Sequence, residues 1–296
     1  MTAVTINANR LTADGKLHGS AAPDGSLLPI LLGRMDVSMV ADDTDLLNSA
    51  ADVPNVWKFD HSNSTLKKYT DGAGDPYVRA VYPDMSGGGT ATPSINFYFN
   101  NLEAPQEFYF QFYARRNGAT LGGSKFVKAH DKNDGISPYS NVTWNNGYGS
   151  SDISSIAFGN GATPTNDNAF ALWYETGHDD TSFLRTPSVP ANVRTTSIVH
   201  GTTWSASDWG DGTQWHKWQM RIKANTGTSP ETEINDGLFE VFVNGVLKLG
   251  AYNIFNRGYG SAPFGCLEFM SLSQAPAAAF TLEMKKITIS KNGWID

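Results

Sequence analysis

Strict alternation of apolar and polar side chains recurs through the second two thirds of the chain, while a 3.6-residue apolar period is nearly absent. From Glu107 to Arg115, Phe108, Phe110, Phe112 and Ala114 fall on one side of an extended chain, and Tyr109, Gln111, Tyr113 and Arg115 on the other. Trp218, Met220 and Ile222 alternate with Gln219, Arg221 and Lys223 in the same way. Each pattern predicts a strand with one face in a core and one face polar. Leu238 to Val243 and Val246 to Leu249 flank Asn244-Gly245, which tolerates the two positive φ angles of a type I′ turn and predicts a hairpin. Phe280, Leu282 and Met284 keep one phase and Ile287 and Ile289 the other, so a bulge is expected at Lys285-Lys286. Beyond it, Trp294 is expected to tie the last residues of the sequence to the sheet.

Clusters of small polar residues at Ser86-Gly87-Gly88-Gly89, Asn145 to Ser151 and Gly159-Asn160-Gly161 predict long loops between these strands. Many antiparallel strands, Gly-rich turns and little helix together predict an all-β fold. The expected form is a two-sheet antiparallel jelly-roll β-sandwich of the concanavalin-like lectin and glucanase type. The first fifty residues read differently, with a turn-rich Ala21-Ala22-Pro23-Asp24-Gly25 and an acidic Asp42-Asp43-Thr44-Asp45. Residues 1–50 are therefore expected to form an N-terminal arm or attachment segment, and 51–296 the sandwich. With 40% hydrophobic residues among 296, one large sandwich has ample core material.

A net charge of −7 without any basic run argues against nucleic acid as a partner. The longest apolar stretch, around Leu27 to Leu32, contains Pro29 and falls far short of the roughly 20 residues of a membrane span, so no membrane partner is expected. Met1-Thr2-Ala3-Val4-Thr5 has neither the basic nor the apolar region of a secretory signal. The single cysteine, Cys266, lies in an apolar run and reads as a buried strand residue.

Phosphate-loop, zinc-protease and esterase-elbow motifs are missing from the sequence. Its six histidines are dispersed without metal-ligand spacing, and neither a metal nor a cofactor is expected. Asp131-Lys132-Asn133-Asp134-Gly135 departs from calcium-loop spacing and reads as a turn. The stretch Leu121 to His130 directly follows the Glu107 to Arg115 strand, and two adjacent strands would present aromatics and cations together. Tyr109, Gln111, Tyr113, Arg115, Lys125, Lys128 and His130 are therefore the candidate carbohydrate-binding residues, with either Lys125 or Lys128 facing the groove. Sugars stack on aromatic faces and pair their hydroxyls with planar polar groups, and acidic sugars also take Lys or Arg. The same face also reads as an ordinary solvated sheet surface, or as a contact to another protein or a second copy of the chain.

Several segments resemble the alginate- and glucuronan-type polysaccharide lyases: Val78 to Pro83, Glu107 to Arg115, Gly122-Gly123-Ser124-Lys125-Phe126, Trp215-His216-Lys217-Trp218, Asp236 to Gly245 and Ile287-Thr288-Ile289-Ser290. The resemblance covers roughly residues 75 to 296 and implies the jelly-roll fold. It also implies elimination beside a uronate carboxyl, with Lys125 and Tyr174 as the catalytic pair. The family's Ser-x-Arg falls near Ser155-Ile156-Ala157, where alanine replaces arginine, and its paired tyrosines reduce to Trp173-Tyr174. The sequence also resembles domains of tailed-phage structural proteins.

The expectation ranked first is therefore a virion-associated decoration or tail protein that recognises a glycan or host-surface polysaccharide. Its arm would meet other virion proteins at the virion surface, and lysis would release it. A polysaccharide lyase acting on an acidic glycan ranks second, and a purely structural capsid or tail protein third.

Overall fold

The computed structural model of the chain describes residues 27–48, 58–98, 106–118, 125–130, 154–160, 170–176, 212–224, 226, 236–254, 266–274 and 278–295. Its strands, in chain order, are β1 (Ile30–Arg34), β2 (Lys58–Asp60), β3 (Thr65–Thr70), β4 (Pro76–Tyr82), β5 (Thr90–Ala91), β6 (Ser94–Tyr98), β7 (Glu107–Gly118) and β8 (Lys125–His130). There follow β9 (Ser154–Asn160), β10 (Phe170–Thr176), β11 (His216–Lys223), β12 (Gly237–Val243), β13 (Val246–Ile254), β14 (Cys266–Gln274) and β15 (Phe280–Lys291). The first sheet runs β13-β12-β11-β7-β15-β4-β3, with β1 also on β15. The second runs β10-β9-β8-β14-β6-β2, with β5 on β14. All the pairings are antiparallel, and the two sheets form the expected jelly-roll sandwich.

Alternation along each strand fills the layer between the sheets. Phe108, Phe110, Phe112 and Ala114 of β7 are fully buried, as are Trp218, Met220 and Ile222 of β11. From the second sheet Phe126, Leu267 and Phe269 meet them. Phe126 packs edge-on against Phe112 and Trp218 at 5.4 and 5.0 Å, and Phe269 against Phe110 and Phe112 at 5.8 and 5.6 Å. These edge-to-face contacts add to the burial of large rings. Tyr82 donates across the layer to the Met270 carbonyl at 3.1 Å, which satisfies a hydroxyl that burial holds protonated.

Three expected local features are present. Asn244 and Gly245 have φ of 50° and 79° at the β12–β13 turn. The β7–β15 register shifts between Lys285 and Thr288, with Lys286 at φ 53°, and the extra residue returns Ile287 and Ile289 to the core side. Trp294 packs edge-on against Tyr109 and Phe242 at 5.1 and 5.6 Å and donates its indole N–H to the Met220 carbonyl.

The expected boundary at residue 50 is corrected. β1 pairs with β15, and Met35, Val37, Val40 and Leu46 belong to the core. The acidic run is an edge cap rather than part of an arm. Asp43 N–H donates to the Lys68 carbonyl and Lys68 N–H to the Thr44 carbonyl, which occupies the free side of β3. Asp42 accepts from Lys68 Nζ at 2.5 Å and from Thr70, and Asp43 accepts from Tyr69 and Lys67. Covering an edge in this way removes a template for unwanted strand pairing. Residues 1–26 lie outside the described part, as do the Asp131 to Gly135 turn and the side chain of Cys266.

Two measurements check this account. Trp218→Ala should cost about 3–5 kcal/mol in urea unfolding, the range for removing a large buried ring. The bonds from Lys68 and Thr70 hold Asp42 below the ordinary carboxylate value of 3.8, and those from Tyr69 and Lys67 do the same for Asp43. A carboxyl depressed in the folded state stabilises above its unfolded pKa and loses that contribution as pH falls through the folded value. The unfolding midpoint should therefore drop on acidification below about 3.8, and the double variant Asp42→Asn/Asp43→Asn should show a shallower acid dependence.

Candidate functional site

The expected carbohydrate-binding set divides between two sheets. β7 pairs with β11 and β15, whereas β8 pairs with β14 and β9. Strands consecutive in sequence thus lie in opposite sheets, with the core between them. Tyr109, Gln111, Tyr113 and Arg115 stand on the outer face of the first sheet, while Lys125, Lys128 and His130 are carried by the second. The expectation that two adjacent strands present them together is corrected, because the chain changes sheets between β7 and β8 instead of turning back beside β7.

On the first sheet's outer face, cross-strand neighbours have neutralised one another. Arg221 of β11 binds Glu107 of β7 on one side and Glu240 of β12 on the other, the latter at 3.3 Å. Tyr109 donates to Glu107 at 2.9 Å and Tyr252 to Glu240 at 2.7 Å. One level along, Gln219 donates to Gln111 at 3.3 Å, and the Gln111 amide donates to the Ile295 carbonyl. Residues 292–295 therefore lie across β7, β11 and β12 as a strap fixed by Trp294. Beside Tyr113, Lys285 is 8% exposed and bonds Asp71 and Asp75 at 2.5 and 2.9 Å.

At the far end of the face Glu283 of β15, 6% exposed, receives Arg115 of β7 on one oxygen and Arg79 of β4 on the other, the second at 2.6 Å. Aromatic rings interleave with these cations. Arg79 lies 4.5 Å from the centre of Tyr69 and 5.6 Å from Tyr77, and Arg115 lies 5.6 Å from Tyr77 and 4.4 Å from Trp215. Lys285 approaches Trp215 at 4.7 Å. Partial burial explains the completeness of the pairing, since an unpaired charge is costly there.

Four phenols on this face, those of Tyr69, Tyr77, Tyr109 and Tyr252, are held protonated. Burial, reinforced by the bond to Glu107, pushes Tyr109 up to about 12, and burial with the bond to Glu240 does the same for Tyr252. Burial also raises Tyr77 and Tyr69. A phenol in that condition is a poor general base near neutral pH. The face suits binding through neutral donors better than proton abstraction. Arg79, Glu283, Lys285 and Trp215 were not among the sequence candidates. The signal was present as polar residues out of phase with the buried Val78, Ala80, Leu282 and Met284.

In the second sheet the description of Lys125, Lys128, His130 and Tyr174 stops at the backbone. Lys128 stands opposite Ala157 of β9 and Glu268 of β14, and His130 opposite Ser155 and Cys266. Tyr174 of β10 is in register with Ile156, and Lys125 with Gly159. Those two positions are two strands and three residues apart, roughly 14 Å by ordinary sheet spacings, and the odd offset along the ladder places them on opposite faces of the sheet, so the expected catalytic pair is not brought together. Among the described residues no cluster of three or more metal-ligating side chains occurs.

No protein-family model matches the chain, and no curated protein matches it in sequence. Solved structures do match in fold. The alginate lyase Aly36B aligns over 87% of this chain and 95% of its own, with 12% identity and a TM-score of 0.52. A mutant of that lyase in complex with alginate tetrasaccharide aligns over the same shares at 13% identity and a TM-score of 0.53. The alginate lyase vAL-1 from Chlorella virus aligns over 88% of this chain and all of its own, at 14% identity and a TM-score of 0.52. The chain therefore has the β-sandwich fold seen in alginate lyases, and the likeness is one of fold.

Glu283→Gln should destabilise the protein by on the order of 3 kcal/mol in urea unfolding, because it strands two guanidinium groups. Replacing Arg79, Arg115 and Glu283 together by Met should fall closer to the wild type. Equal losses in both variants would contradict the paired-charge account of this face.

Proposed function

We propose that the chain acts on an acidic, uronate-containing polysaccharide, cleaving it by β-elimination at the second sheet. The observation that carries this reading is the likeness in fold, over nearly the whole chain, to alginate lyases, one of them in complex with alginate tetrasaccharide. In the reaction a base removes the proton on the carbon that bears the carboxyl group. The bond from the neighbouring carbon to the glycosidic oxygen breaks, a carbon–carbon double bond forms, and the leaving oxygen takes a proton.

Such a step needs a cation or donors at the carboxylate, so that charge developing there is stabilised, and a proton-transfer group. Lys125, whose β9 partner Gly159 shares a face with Ala157 opposite Lys128, is assigned to proton transfer; Tyr174, opposite Ile156, falls on the other face of the sheet and takes no role. Lys128 is assigned to the carboxylate: its register partner is Ala157, at the end of the Ser155-Ile156-Ala157 segment that lacks arginine. The first sheet offers no free cation for this task at Arg79, Arg115 or Arg221, each already bound to a carboxylate.

This reading now ranks above a virion-attached recognition protein. The latter drew on an arm spanning residues 1–50, and residues 30–48 are part of the sandwich.

Purified protein incubated with alginate or glucuronan should release unsaturated uronides, seen as new ultraviolet absorbance. Lys125→Ala and Lys128→Ala should each lower that rate by about 10²–10⁴-fold, the usual worth of a positioned acid–base or charge-stabilising group, without lowering the unfolding midpoint. Absence of unsaturated products from either polymer would overturn the proposal.

A further inference from the structure

We infer a binding site for a zinc-like divalent cation on the outer face of the second sheet, built from His130 of β8 and Cys266 and Glu268 of β14. The two strands are neighbours, and their register sets His130 directly opposite Cys266 and Lys128 opposite Glu268. Which face these positions occupy follows from the residues between them. Leu267 and Phe269 of β14 and Val127 and Ala129 of β8 are buried in the inter-sheet layer. Side chains alternate along a strand, so His130, Cys266 and Glu268 share the opposite face. Cys266, although it lies in an apolar run of the sequence, is out of phase with Leu267 and Phe269.

That placement has the spacing of a metal site carried on strands. Directly opposed residues of an antiparallel pair lie about 4.5–5.5 Å apart between Cα atoms, and alternate residues of one strand about 6.8 Å. Three side chains on such a triangle can reach one ion at the roughly 2.0–2.3 Å of zinc–ligand bonds. Thiolate, imidazole and carboxylate are the donor types that zinc takes, and three protein ligands leave a fourth position open. Thiolate and carboxylate together also match the charge of a dication. Ser155 of β9 stands on the far side of His130 in the ladder, where a hydroxyl can bond the ring nitrogen that the ion leaves.

The competitor for the site is Lys128. It stands opposite Glu268, and opposite charges so placed across a ladder attract one another. A divalent ion held by three converging donors outbids a single ammonium for that carboxylate, whereas a monovalent ion has no such advantage.

Cobalt titration of the full chain, first stripped of metal with a chelator, tests the inference. Co²⁺ should bind as a single equivalent and give thiolate-to-cobalt absorbance in the near ultraviolet, which can come only from Cys266, the one cysteine of the sequence. Zn²⁺ should bleach that absorbance by displacing cobalt, and should raise the unfolding midpoint of the wild type. Cys266→Ser should abolish the absorbance. His130→Ala and Glu268→Gln should each weaken binding by at least about tenfold, with the metal-free chain still unfolding cooperatively. Affinity should fall as the pH is lowered, because protons compete for thiolate and imidazole, and Lys128→Ala should tighten binding several-fold. Absence of the thiolate-to-cobalt absorbance would overturn the inference, as would His130→Ala and Glu268→Gln variants that bind cobalt like the wild type. None of these readouts requires elimination, so this proposal and the preceding one can fail independently.

Discussion

The structure depends on the burial of β7 between β11 and β15. A strand with neighbours on both sides, and a second sheet stacked over one face, can place its apolar residues only in the inter-sheet layer. Phe108, Phe110, Phe112 and Ala114 do so without exposure. The remaining side chains, Tyr109, Gln111, Tyr113 and Arg115, must then share a crowded outer face with those of β11 and β15. Charges half removed from water need partners. Glu283 between Arg79 and Arg115, and Arg221 between Glu107 and Glu240, are the consequence. The same alternation that builds the core thus commits the outer cations to ion pairs.

That commitment changes the chemistry assigned to the face. Arginine and tyrosine on neighbouring strands look like a site for acidic sugar when partners are unknown. Once Glu283 and Glu107 are in place, Arg115 has lost its surplus charge and Tyr109 is held as a neutral phenol. A surface of neutral donors, amides and indoles remains. In the proposed reading acidic sugar is engaged instead by the second sheet, where β8 carries Lys125 and Lys128.

Much of the fold was legible in the sequence because it is written locally. Alternation in Glu107 to Arg115 and in Trp218 to Lys223, the Asn244-Gly245 turn and the phase change at Lys285-Lys286 each involve a few consecutive residues. What was illegible is long-range. Nothing in Leu121 to His130 reveals that its strand pairs with β14, well over a hundred residues later, rather than with β7 beside it in sequence. The acidic Asp42-Asp43-Thr44-Asp45 was read as part of an arm because its counter-charges, Lys67 and Lys68, lie on a strand that only the folded chain brings alongside. The ion pair of Arg79 with Glu283 spans 204 residues and could not be paired by inspection.

The central claim is a division of labour between two sheets, with acidic sugar engaged by the second and not by the first. Hydrogen–deuterium exchange with and without alginate tetrasaccharide measures this most directly. The account predicts slowed exchange confined to β8, β9 and β10, with β7 and β11 unchanged. Protection of β7 and β11 with none on β8 to β10 would contradict it.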